Sequence, residues 1–81
     1  MQLSDAISAR ITELLEERDW SNYKISGQSA VPNSTVSNIL LCKCKGCNIC
    51  TLLNIARGFG ISLPELFASE LFAPENLDDD N

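Results

Sequence analysis

Four cysteines, Cys42, Cys44, Cys47 and Cys50, fall within nine positions of an 81-residue chain, in the stretch LLCKCKGCNIC. Thiolates are the soft ligands that hold zinc and iron–sulfur clusters, and low-pKa thiols are redox sensors. The spacing Cys44-x2-Cys47-x2-Cys50 matches the opening of an iron–sulfur run, but the cysteine-proline that completes that run is absent. Paired zinc knuckles need a longer spacer than this stretch offers. Lys43 and Lys45 would favour the thiolate form. Two readings therefore stand side by side. One is a metal or redox sensor built on the four thiols. The other, which we expect, is a loop of small semi-buried thiols with Cys50 half in the core, and it assigns no metal and no cofactor.

The chain has no histidine. That removes the commonest general base and any Ser-His or Cys-His pair, and no Gly-rich phosphate loop appears. Nothing assembles a nucleophile, a base and an oxyanion site, so an enzyme is not expected. The remaining polar chemistry is the run Asn33, Ser34, Thr35, Ser37 and Asn38. Asparagine offers a donor and an acceptor and can pair with adenine at two points; serine can serve either partner.

The elements that would position these groups are helical. Residues 5–18 carry Ile7, Ile11, Leu14 and Leu15 at amphipathic spacing, with Ser4 as N-cap. Residues 22–29 follow Ser21 as N-cap, with Trp20 and Ile25 at hydrophobic-staple spacing. Residues 33–41 follow Pro32 and turn Val36, Ile39 and Leu40 to one face. Residues 49–59 follow Asn48, with Ile49, Leu52, Leu53, Ala56 and Phe59 as the apolar stripe and Gly60 beyond the end. Ser62 and Glu65 form a capping box for a fifth helix that is predicted to run to about Phe72. No segment alternates with period two, so the chain reads as an all-α domain of five short helices over residues 1–72. An acidic, disordered tail over residues 73–81 completes it.

Helices two and three are separated by only about three residues, the spacing of a helix-turn-helix unit. The residues WSNYKISGQSAVPNSTVSNIL followed by TLLNIARGFGISLPELF resemble the phage repressor and Cro-type helix-turn-helix family over roughly residues 7–67. The resemblance implies a compact five-helix, lambda-repressor-like domain that binds double-stranded DNA. It further implies a transcriptional regulator, commonly a repressor, acting as a homodimer. By the same resemblance Asn33, Ser34, Ser37 and Asn38 read bases in the major groove. Asn22, Tyr23, Thr35, Lys43 and Lys45 contact the DNA backbone. Over the family's loop, Cys42 takes a glycine position, Cys44 a serine position and Cys47 a proline position. Two departures stand out. Ala30 occupies the turn position that normally holds glycine, and Ser26 replaces a small alanine, so its hydroxyl needs a partner.

The net charge of −5 is unevenly placed. Through Pro64 six basic residues face five acidic ones, whereas from Glu65 onward there are six acidic residues and no basic one. The body is nearly neutral, which predicts weak non-specific adhesion to nucleic acid. No secretory leader and no membrane span is legible, so a cytoplasmic location and no membrane partner are expected. Leu63, Leu66, Phe67, Leu71 and Phe72 together exceed what a core this small should hide. Leu66 and Phe67 are expected in the core, and Leu71 and Phe72 either in the core or at a homodimer contact or, in an antitoxin-like reading, at a protein partner gripped by the apolar C-terminal helix.

Overall fold

Helix α1 spans Leu3–Arg18 and starts earlier than its apolar stripe suggests. The expected cap Ser4 lies inside the first turn. The Asp5 carboxylate instead accepts the backbone N–H of Gln2 at 3.3 Å, which ties down the residue before the helix. The computed structural model describes residues 2–41 and 48–78. Among them are four further α-helices: α2 (Asn22–Ser29), α3 (Asn33–Leu40), α4 (Ile49–Phe59) and α5 (Leu63–Leu66). Two short 3-10 turns follow, Glu70–Phe72 and Pro74–Asn76. The fold is all-α, as expected.

Local chemistry explains where the helices stop. Asp19 (φ 56°) and Gly60 (φ 78°) both turn left-handed at the ends of α1 and α4. In each case the next N–H reaches back five residues, Trp20 to the Leu15 carbonyl at 2.9 Å and Ile61 to Ala56 at 3.0 Å. This closure satisfies carbonyls that the helix leaves open. The two ends then meet: Trp20 stacks on Phe59 with ring centres 5.6 Å apart. The Arg18 guanidinium lies over both rings and donates to the Phe59 carbonyl at 3.2 Å.

The predicted stripe of α1 is buried throughout, as are Val36 and Ile39 of α3. The stripe of α4 needs correction. Its buried residues are Leu52, Ile55, Ala56 and Phe59, spaced i, i+3, i+4, i+7. Leu53 sits on the flank, and Ile49 is 57% exposed. Helices α2 and α4 pack closely at Gly58, where an added Cβ would lie 2.8 Å from the Ser29 Cβ.

The fifth helix also departs from expectation. The capping box forms: Ser62 Oγ accepts the Glu65 N–H at 3.2 Å, and the Glu65 carboxylate accepts from the Ser62 N–H at 3.1 Å. These bonds from Ser62 hold the Glu65 carboxyl below its usual range. But α5 ends at Leu66 rather than Phe72, and Arg10 caps its terminal carbonyls. Arg10 Nε donates to the Leu66 carbonyl at 2.9 Å and Nη2 to that of Glu65 at 3.0 Å. The chain then extends at Ser69, whose hydroxyl accepts the Leu71 N–H and starts a new turn. Beyond it, Asn76 Nδ2 donates to the Glu70 carbonyl at 2.6 Å, and Pro74–Asn76 forms the second 3-10 turn.

Candidate nucleic-acid interface

The rotation of α3 decides which of its polar groups face outward. Val36 and Ile39 are drawn into the core, and Leu40 packs against it. Ser8 Oγ on α1 donates to the Leu40 carbonyl at 2.8 Å and pins the helix end. The opposite edge therefore carries Ser34 and Asn38, both exposed, at i and i+4. Among the described residues neither side chain has a hydrogen-bond partner. Ser37 and Thr35 flank that edge and are half-buried.

Asn33 is placed differently from the other expected readers. It is half-buried at the first position of α3, and its Oδ1 is shut off from solvent with no hydrogen-bond partner. A buried, unsatisfied amide oxygen costs about 1–3 kcal/mol. In this conformation Asn33 cannot offer a base its acceptor, so two-point pairing with adenine would require the side chain to turn outward.

The connection between α2 and α3 is Ala30–Pro32, and α2 packs against α3. Ala30 has φ 60° and ψ 20°, the left-handed region in which a Cβ is strained. Val31 is buried, and two serines satisfy its backbone. Ser26 Oγ donates to its carbonyl at 2.6 Å, and Ser29 Oγ accepts its N–H at 3.2 Å. The hydroxyl that Ser26 adds thus finds the partner it needs. It fastens the turn that sets α3 against α2.

At the start of α2, Ser21 Oγ accepts the Lys24 N–H at 3.2 Å. Asn22 is half-buried and Tyr23 is 76% exposed. Lys24, a position the sequence reading passed over, is exposed beside Tyr23 with Nζ 5.4 Å from the Trp20 ring centre. A lysine in the first turn of a helix opposes the helix dipole. An anion at the same spot removes the conflict, and that mismatch was the available signal.

Lys43, Lys45, Cys42, Cys44 and Cys47 lie outside the described residues. Cys50 is described, and it is exposed rather than half in the core. It sits in the first turn of α4, off the stripe that packs inward, and its N–H donates to Asn48 Oδ1 at 2.8 Å. Leu71 and Phe72 are both half-buried. Phe72 packs against the core, edge-to-face on Phe67 with centres 5.0 Å apart. Among the described residues no helix is long and apolar enough to cross a membrane.

Comparison with protein-family models, with curated proteins and with solved structures finds no match to this chain.

Proposed function

We propose that this protein is a sequence-specific, double-stranded DNA-binding transcriptional regulator of the phage-repressor helix-turn-helix kind. It acts as a homodimer that occupies an operator in the cytoplasm. The observation that carries the reading is the outer edge of α3, where Ser34 and Asn38 stand exposed on a short helix whose other face is locked into the core. Eight residues at roughly 1.5 Å each make a rod about as long as the major groove is wide. The turn before it adds support. Ala30 takes the left-handed conformation that explains why glycine is usual there in the family the sequence resembles.

In this reading Ser34 and Asn38 contact base edges, with Ser37 beside them. Asn33 joins them by turning outward, which also frees its amide oxygen from a site without a donor. Tyr23, Lys24 and Asn22 at the start of α2, with Thr35, meet phosphate or sugar. Lys43 and Lys45 are assigned to the backbone by the resemblance alone. Paired domains would set two α3 helices on successive turns of the duplex, about 34 Å apart, comparable to the 33 Å long axis of one domain.

Selection of bound duplexes from a random pool tests this. A palindromic consensus is the expected result. Asn38→Ala should then lose about 1–3 kcal/mol of discrimination at one base position per half-site, with the other positions unchanged. Failure to select any sequence, or an equal loss on every duplex, would overturn base reading by this helix.

A further inference from the structure

We infer that Leu41 is a specificity-determining residue that contacts the 5-methyl group of a thymine, next to the base met by Asn38. The inference rests on the DNA-reading role of α3 proposed above. Leu41 is 61% exposed, a large apolar side chain left outside the core. Single exposed leucines are ordinary on protein surfaces. This one is set apart by its register. Its N–H donates to the Ser37 carbonyl at 2.9 Å, and its φ of −89° and ψ of 6° keep the chain coiling past the last helical residue. Leu41 therefore stands at i+7 from Ser34 and i+3 from Asn38, on the same outward edge.

That edge presents two small polar groups and then one apolar group. The major groove offers hydrogen-bonding base edges and only one apolar feature, the thymine methyl. A leucine at the end of the edge can gain from that methyl and from no other base. Contact would bury apolar surface on both partners, and one methyl's worth of burial corresponds to about threefold to fivefold in affinity.

The test uses the duplex obtained by selection and replaces its thymines by deoxyuridine one at a time, which removes only the methyl. The full-length chain should bind about threefold to fivefold more weakly when one particular thymine in each half-site is replaced. Leu41→Ala should bind the thymine and uracil duplexes equally, and Leu41→Met, which keeps an apolar reach, should retain the preference. Because Leu41 is exposed, Leu41→Ala should melt like the parent, as followed by circular dichroism. The inference is overturned if no thymine is sensitive, or if Leu41→Ala keeps the parent's preference. It is also overturned if Leu41→Ala instead changes the sedimentation of the free protein, which would make Leu41 a subunit contact. A duplex selected normally but indifferent to thymine methyls removes the role of Leu41 alone. Failure to select any duplex removes the DNA-binding reading and this inference with it.

Discussion

Ala30 is where a single side chain most directly opposes its backbone. Its φ of 60° places the Cβ against the following carbonyl, at an exposed site. The strain is about 1–2 kcal/mol, partly offset in a glycine variant by the greater freedom of the unfolded chain. Ala30→Gly should therefore stabilise the domain by about 0.5–1 kcal/mol. Thermal denaturation should show a midpoint several degrees higher, since about 1 kcal/mol shifts a domain of this size by roughly 4–8 °C. An unchanged or lower midpoint would mean the turn is relaxed in solution. The serines around Val31 show how the turn persists regardless. Both polar groups of a buried backbone unit are satisfied by side chains only a few residues away.

The helices differ in what their glycines do. Gly58 lies where α4 meets α2, with Ser29 Cβ at 2.8 Å and Ile25 Cδ1 at 3.0 Å from the position of an added Cβ. Gly27 on α2 has nothing within 4 Å of that position. Alanine should thus act oppositely at the two sites. Gly58→Ala should destabilise by about 1–3 kcal/mol through overpacking against the Ser29 backbone. Gly27→Ala should stabilise by about 0.5–1 kcal/mol through helix propensity. Urea titration of the two variants separates these effects, and equal behaviour would show that α2 and α4 do not approach as described. The short α5 illustrates a different control. Its start is capped locally by Ser62 and Glu65, whereas its end is capped from α1, through the Arg10 guanidinium.

At the scale of the whole molecule the proposed function requires a chain of net charge −5 to approach a polyanion. Its cations are few and several are already engaged. Among the described residues Arg10 caps α5 and Arg18 caps α4, which leaves Arg57 on α4 and Lys24 at the start of α2 as exposed positive groups, with Lys24 lying over the Trp20 ring. A small phosphate contact set predicts a shallow salt dependence, with log K falling by no more than about four units per log unit of salt. Lys24→Gln should weaken binding to all duplexes alike and reduce that slope by about one unit, as measured by fluorescence anisotropy across a salt series. A steep slope in the parent, or a loss confined to one base position in the variant, would show that the phosphate contacts are wrongly assigned.

What the sequence determined by itself was mostly local. Ser21, Asn48, the Ser62–Glu65 pair and Gly60 announce helix ends because capping bonds connect residues two to four apart, and all of them act as caps in the structure. Periodicity likewise placed the inner faces of α1 and α3. Tertiary packing decided what such signals cannot carry. It left Ile49 outside and drew Ile55 in, cut α5 short, exposed Cys50 and turned Phe72 toward Phe67. It also sorted the polar run of α3, leaving Ser34 and Asn38 exposed and closing off the Asn33 oxygen. The reason is physical: helix boundaries are settled by bonds within a turn or two, whereas the rotation of a helix about its axis is settled by whichever distant side chains close over it.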